Sequence, residues 1–203
     1  MNVRKSLIML TVAVLSAMLG ACATVDQKIA LRYAPMDKLV GKHAGTVVVS
    51  RIDSAPKRLS QQGEWVIGTL NNVHGVRQAD LLSDRFAGEW ISDALVTELK
   101  RAGYSTSYAV PLPAGTRQGI VLTDVHVFLD VNSGAVTAKT AHELTFNVDV
   151  IINGEKRKTL TISSRDNQTV ALSASQEEKE QIMLKSLQDA MQKLLPEIIT
   201  LFQ

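Results

Sequence analysis

The stretch ELTFNVDVIINGEKRKTLTIS, residues 143–163, decides the fold because it contains two alternating strands joined by a turn. Apolar and polar side chains alternate along the first arm, which is typical of a strand with one buried and one solvated face. Asn153-Gly154 is a dipeptide that favours a two-residue type I′ hairpin turn. The buried face of this hairpin would consist of Leu144, Phe146, Val148, Val150, Ile152, Leu160 and Ile162.

Further strands are predicted on the N-terminal side of this hairpin. Residues 121–131 carry apolar side chains mostly at odd positions and end at a Ser133-Gly134 turn, so they predict a third strand of the same meander. Earlier in the chain, alternation or β-branched runs predict short strands. These cover residues 28–33, residues 47–52, and two arms of a hairpin at 65–67 and 76–79 around Asn71-Asn72.

Two amphipathic helices complete the pattern. The first is expected from about Asp84 to Ala102, with Ser83 as the N-cap and Gly103 as the left-handed stop. The second begins at a Ser175-x-x-Glu178 capping box. Pro196 should kink or end that helix near Leu195, because proline lacks the backbone N–H.

The order of these elements predicts an α+β fold. Each helix and the meander has one apolar face, and the economical arrangement is a two-layer sandwich. We expect an antiparallel sheet of about four to six strands with two helices on one face. Residues 45–203 would form a single domain, preceded by an early strand within residues 22–44.

The first 22 residues indicate where the protein resides. A basic pair at Arg4-Lys5 precedes an apolar run from Leu7 to Leu15, and small residues then lead to Cys22, the single cysteine. This order is typical of a secretory signal peptide, and the run is too short for an ordinary membrane-spanning helix. Two alternatives are a buried core helix with an incidental cysteine and a plain secretory signal that leaves a free thiol.

The tetrapeptide Leu19-Gly20-Ala21-Cys22 resembles the lipobox of bacterial lipoproteins. The resemblance implies that Cys22 becomes the first mature residue and carries acyl chains such as palmitate. Several acyl chains hold a protein on a membrane far more firmly than one. Ala23 stands where an aspartate retains many lipoproteins in the inner membrane, so the same analogy favours the outer membrane, with the protein facing the periplasm. Residues 1–21 would then be the signal peptide, 22–44 the lipidated tether with an early strand, and 45–203 the periplasmic domain.

Charge and length narrow the function classes. The full chain has 22 basic and 20 acidic residues, and removal of Arg4 and Lys5 with the signal leaves 20 of each. A formally neutral chain gives no electrostatic reason to expect nucleic-acid binding. With 21 residues removed, 182 of the 203 remain, enough for one domain with a core.

No motif in the sequence predicts catalysis. The chain has four histidines, of which His126 and His142 lie on adjacent predicted strands and might meet across the hairpin, besides His43 and His74. Strand histidines are more often structural than metal ligands. Paired carboxylates near peptidoglycan would suggest glycoside hydrolysis, but the strand acids are expected on the wet face without a cleft. They are Asp124, Asp130, Glu143 and Asp149.

Several of these features, taken in order, resemble the YajG family of outer-membrane lipoproteins. They are the lipobox at Cys22, the helix end at 99–104, the turn at 130–134, the Asn153-Gly154 hairpin and the final amphipathic helix. The similarity is better over residues 80–203 than over 35–80. It implies a small periplasm-facing lipoprotein, and of the functional positions it transfers only Cys22.

We therefore expect a non-enzymatic, lipid-anchored envelope protein without cofactor or metal. It would be a protein-binding or structural module that contacts another envelope protein through the polar sheet face or through residues 53–83. The alternative is an accessory lipoprotein for lipid or lipopolysaccharide transport and assembly. A small-molecule ligand is not expected, because the apolar side chains of the meander match the two apolar helix faces.

Overall fold

The structure is a computed structural model that describes residues 25–37, 42–52, 58–134, 136–171 and 174–203. Cys22 and the signal segment lie outside these ranges. The described elements are β1 (Gln27–Lys28), β2 (Thr46–Arg51), β3 (Trp65–Asn71), β4 (Arg77–Ser83), α1 (Ala87–Arg101), β5 (Ser105–Tyr108), β6 (Gln118–Ser133), β7 (Thr137–Ile152), β8 (Glu155–Ala171) and α2 (Gln176–Phe202).

The sheet is mixed, with β6 at its centre. One edge of β6 pairs antiparallel with β7, which pairs antiparallel with β8, as the meander pattern predicted. The other edge is shared: β2 pairs parallel with residues 119–122 and β3 pairs parallel with residues 129–132. Beyond β2 lies β5, and beyond β3 lie β4 and then β1.

The prediction of an antiparallel sheet of four to six strands is therefore wrong in two respects. Four of the pairings are parallel: β1 with β4, β2 with β5, β2 with β6 and β3 with β6. Within the described ranges the sheet has eight strands, two of which are the short edge strands β1 and β5. Parallel neighbours require a long crossover between them, so the pairs that they form are far apart in the sequence.

Close backbone approach explains why β3 can join β6. A Cβ atom on Gly68 would lie 2.0 Å from the carbonyl oxygen of Leu129, the residue with which Gly68 is paired. Any larger residue would push the two strands apart at the first residue of their pairing. Gly68 therefore fixes the point at which β3 meets the sheet.

A bulge in β6 changes which side chains face the core. Asp124 has a φ of +53, close to the +54 of the hairpin residue Asn153, and the pairing of β6 with β7 shifts between Thr123 and His126. Before the bulge the buried side chains are at even positions, and after it they are at odd positions. The predicted odd-numbered pattern holds only after the bulge. The buried series is Ile120, Leu122, Val125, Val127, Leu129 and Val131.

The helices contact each other and the sheet, with α1 beside β2 and β6 and α2 beside β7 and β8. Their apolar side chains and those of the meander form one buried cluster. Ser175 and Glu178 form the predicted capping box, and Gly103 has the predicted positive φ. Ser83 is not the N-cap of α1: it is the last residue of β4, its Oγ accepts from the Arg85 N–H, and Phe86 holds the cap position.

Pro196 was expected to kink or end α2 near Leu195, and the prediction that the helix ends there is wrong. The helix continues through Pro196 to Phe202. Ile198 is fully buried and Ile199 nearly so. Packing of this last apolar turn stabilises the helix beyond the one hydrogen bond that proline removes.

The N-terminal arm, residues 27–36, packs on both helices. Ile29 and Leu31 are buried, which confirms the predicted alternation, although only Gln27–Lys28 pairs as a strand. The Glu180 carboxylate of α2 accepts from the Ala30 N–H at 2.9 Å. The buried Glu98 carboxylate of α1 accepts from the Tyr33 hydroxyl at 2.8 Å and from the Met36 N–H at 2.9 Å. The division between tether and domain at residue 44 stays a prediction.

Candidate functional site

The shared edge of β6 leaves an opening in the sheet. Between the residues paired with β2 and those paired with β3, no described strand pairs with residues 123–128 on that edge. The bulge at Asp124 lies in this interval. A hollow of about 390 Å³ opens here, and we call it the fork hollow. It is lined by Arg58, Trp65, Val66, Ile67, Phe86, Ala87, Val125, His126, Val127 and Phe128.

Aromatic side chains are concentrated in the fork hollow. The chain has only four phenylalanines and two tryptophans, and Trp65, Phe86 and Phe128 line this one place. Trp65 and Phe86 pack with their ring centroids 4.9 Å apart. Rigid aromatic side chains supply large contact areas at low entropic cost, so they are typical of binding surfaces.

Arg51 provides positive charge beside the aromatic wall. Its guanidinium carbon lies 5.5 Å from the ring centroid of Phe86 and 5.8 Å from that of Tyr108, within the range of cation–π attraction. Its Nη2 is 3.6 Å from a carboxylate oxygen of Glu89. A Cβ atom on Gly88 would lie 2.9 Å from Arg51 Cδ and 2.5 Å from Phe86 Cε1, so glycine is what allows this stacking.

The outer rim of the fork hollow is polar and partly charged. His126 stacks on Phe128 with centroids 6.3 Å apart. The Glu143 carboxylate lies 3.9 Å from His126 Nε2 and forms an ion pair with Arg165. The fork hollow therefore has an apolar floor and a rim of hydrogen-bonding groups, which is the usual composition of a protein-binding patch.

The strand acids are placed on the outer sheet face, but the structure gives each of them a donor. Asp124 accepts from the Asn147 side-chain amide at 2.9 Å, and Asp130 accepts from the Thr69 hydroxyl. Glu143 is paired with Arg165, and Asp149 with Lys156 at 3.1 Å. The arrangement forms a hydrogen-bonded polar surface, in which Thr161 also donates to Asn147.

The four histidines are dispersed. His126 is exposed on the outer face, whereas His142 is buried on the inner face, so the two do not meet across the hairpin. His43 stacks on Tyr104, and His74 is exposed in the β3–β4 loop. Within the described residues no three His, Cys, Asp or Glu side chains are grouped so that they could hold a metal ion.

Two buried titratable groups lie in the core, away from the fork hollow. Burial lowers the pKa of His142, and the weaker attractions of Asp166 and Asp189 oppose this shift. Its Nδ1 is buried without a hydrogen-bond partner. Burial also lowers the pKa of Lys179, whose Nζ donates to the Gln27 side chain at 2.7 Å.

The sequence did not predict the fork hollow. Trp65 and Val66 fall within residues 53–83, which were expected to contact a partner. Phe86 falls within the helix predicted from Asp84 and was expected on its buried apolar face, whereas Phe128 and Arg51 had no assigned role. A usable signal was Phe128, an aromatic residue at an even position of the predicted 121–131 strand, whose apolar side chains lie mostly at odd positions. Cys22, the predicted lipid attachment site, lies outside the described residues, and its lipidation stays a prediction.

Comparison with known proteins assigns no family. No protein-family model matches the chain, and no curated protein matches it. The described part of the chain contains no helix whose length and apolar character would allow it to cross a membrane. The resemblance to the YajG family therefore stays a prediction.

Three solved structures have a distantly similar fold. A neuraminyllactose-binding hemagglutinin homolog from Helicobacter pylori aligns with 86% of this chain and 96% of its own, at 10% identity and a TM-score of 0.46. A Xanthomonas campestris protein of family DUF330 aligns over 84% and 92%, at 9% identity and a TM-score of 0.44. Rare lipoprotein B from Shewanella oneidensis aligns over 67% and 98%, at 8% identity and a TM-score of 0.34.

Proposed function

We propose that this protein is a non-enzymatic, lipid-anchored envelope protein that binds another envelope protein through the fork hollow. Its acylated Cys22 would hold it on the outer membrane, facing the periplasm. The observation that carries the proposal is the gathering of Trp65, Phe86 and Phe128 around an opening in the sheet. This site borders the two regions expected to contact a partner, since Trp65 lies within 53–83 and Phe128 is paired with Glu143 of the polar sheet face.

A protein ligand fits this site better than a lipid. The fork hollow, at about 390 Å³, is at the small end of the range for small-molecule pockets. The apolar side chains of the meander pack in the core and are not available to a ligand: Leu144, Phe146, Val148 and Val150 are fully buried. Accessory function in lipid or lipopolysaccharide transport remains the second candidate, because the floor of the fork hollow is apolar.

In-cell photocrosslinking tests the proposal. A photoreactive residue is placed at Phe128, on the rim of the fork hollow, and at Thr161 on the polar outer face as the matched control. A defined protein adduct is expected at Phe128 and not at Thr161, and the added change Arg58→Glu should abolish it. An adduct at Thr161 alone would contradict the assignment of the site, and no adduct at either position would contradict protein binding.

Two further measurements separate the remaining parts of the proposal. Cys22→Ala should abolish metabolic acyl labelling and release the protein from membranes, and unchanged labelling would refute lipidation at this residue. Mass spectrometry of protein extracted from membranes should find no bound lipid beyond the covalent anchor. One phospholipid or lipopolysaccharide per chain would instead support the accessory function.

A further inference from the structure

Three valines are exposed on two loops at one end of the sheet, and a fourth lies where the chain enters this end. Val73 and Val76 are in the β3–β4 loop, Val136 is in the β6–β7 turn, and Val25 precedes β1. Their exposed fractions are 61%, 56%, 70% and 74%. We call these four residues the valine tip.

Strand pairing brings these loops together. Asn71, the last residue of β3, is paired with Asn132 near the end of β6, so the loops that follow the two strands are neighbours. Val25, Asn71, Val73 and Gly134 line one open hollow at this end. The start of α2 lies here as well, because Ser175 and Ser133 line an adjacent hollow.

Val25 and Asp26, which precede β1, lie at the valine tip. β1 runs parallel to β4 with Gln27 beside Leu81, and the Asp26 carboxylate accepts from the Asp80 N–H at 2.8 Å. Val25 and Asp26 therefore lie toward the start of β4, which is the tip end. Only three peptide units separate Val25 from Cys22, so an acyl anchor on Cys22 holds Val25 within about 11 Å of the bilayer surface.

We infer that the valine tip rests on the membrane in which Cys22 is anchored, with its four valines in the lipid headgroup region. This inference rests on the proposed lipidation of Cys22. A cluster of exposed apolar side chains beside an acyl anchor adds buried apolar area to the same membrane contact. It converts a tethered protein into one with a fixed orientation.

The charges at this end favour a neutral lipid surface. Asp80 forms an ion pair with Arg77 and lies 3.9 Å from Arg58. Glu177 and Glu178 lie in the first turn of α2 at the same end. The arginines neutralise Asp80, whereas Glu177 and Glu178 would be repelled by a strongly anionic leaflet. The fitting partner is therefore a zwitterionic phospholipid surface.

This orientation would direct the fork hollow away from the lipid. Val127 is six residues from Ser133 along β6, about 20 Å at the usual rise per residue. The β7–β8 hairpin lies at the far end of the 16-residue β7, about 50 Å from the tip. The fork hollow would then face the periplasm, where a protein partner can reach it.

Fluorescence quenching on vesicles tests the inference with the full lipidated protein. Because the Cys22 thiol is acylated, an introduced cysteine is the labelling site for an environment-sensitive fluorophore. The label is placed at Val73→Cys, at Val136→Cys, or at Glu155→Cys as the far-end control. The vesicles consist of phosphatidylcholine and phosphatidylethanolamine with nitroxide on the headgroups. Loss of most of the fluorescence is expected at positions 73 and 136, with none at 155.

A substitution shows whether the valines cause the docking. With the label at Val136→Cys, the pair Val73→Ser and Val76→Ser should restore fluorescence, while the exposed Val110→Ser should leave the quenching unchanged. Equal quenching at the tip and at position 155, in protein that floats with the vesicles, would overturn the inference and leave the anchor intact. Protein that does not float would refute the anchor itself, and with it the inference.

Discussion

Replacing Glu98 by alanine should loosen the N-terminal arm and destabilise the fold. The carboxylate is fully buried, and it accepts hydrogen bonds from the Tyr33 hydroxyl and the Met36 N–H. Its contact with Arg101 Nη1 is longer, at 3.4 Å. Burial, followed by the hydrogen bond to Glu98, raises the pKa of Tyr33, so the tyrosine donates at all physiological pH values.

The loss of stability expected for Glu98→Ala follows from the hydrogen-bond donors that the substitution leaves unsatisfied. A hydrogen bond to a charged group contributes about 1.5–3 kcal/mol, and loss of one partner leaves the other groups unsatisfied. Glu98→Ala removes two such bonds at a buried position and is expected to cost about 3–5 kcal/mol, the range for breaking a buried charged pair. Tyr33→Phe removes one bond and should cost about 1.5 kcal/mol. The double variant should cost less than the sum, because both changes remove the same bond.

Two measurements check this expectation. Urea denaturation of the chain from residue 23 gives the free energy of unfolding, and tryptic cleavage after the exposed Arg32 reports on release of the arm. Cleavage after Arg32 should be faster in Glu98→Ala. Glu155→Ala, at an exposed hairpin position, is the control and should change stability by less than about 0.5 kcal/mol. If Glu98→Ala changes stability as little as this control and leaves cleavage unchanged, the arm is not held by Glu98.

Three further predictions concern the core and the central hairpin. Because burial lowers the pKa of His142, this histidine takes up a proton in the unfolded chain at a higher pH than in the folded protein. Its contribution to stability should therefore be full above about pH 6.5 and fall below it. If His142→Leu leaves the pH dependence of urea denaturation unchanged, this prediction is contradicted. Leu187→Ala, at a fully buried position of α2, should cost about 2–5 kcal/mol, and an unmoved denaturation midpoint would mean that α2 does not pack there. Gly154→Val should cost about 1–2 kcal/mol of stability from backbone strain alone. Gly154 has a φ of +81, and a Cβ atom there would meet no other atom closer than 3.8 Å. If the variant unfolds at the wild-type temperature, this prediction is refuted.

Local patterns in the sequence predicted much of the secondary structure. The capping box at Ser175, the positive φ at Gly103 and the Asn153-Gly154 turn depend on residues within a few positions of one another, and all three are confirmed. The buried face of the β7–β8 hairpin was also predicted as far as Val150, because alternation along a strand reports directly on its two faces. At Ile152 the prediction is wrong: the register of β7 with β8 shifts between Val150 and Ile151, so Ile151 is buried and Ile152 only half-buried. Where a signal competed with tertiary contacts, as at Ser83 and Pro196, the prediction failed.

The sequence by itself determined most of the elements and the buried faces that alternation marks, but neither the edge strand β5 nor the bulge in β6 was predicted. The signal segment that ends at Cys22 stays a prediction. Only the tertiary structure decided that β2 and β3 share one edge of β6, because these parallel pairings join residues separated by about 60–70 positions and leave no local pattern. The candidate site follows from that choice. Trp65, Phe86 and Phe128 come together only where the shared edge opens, since their contacts depend on the register of distant strands.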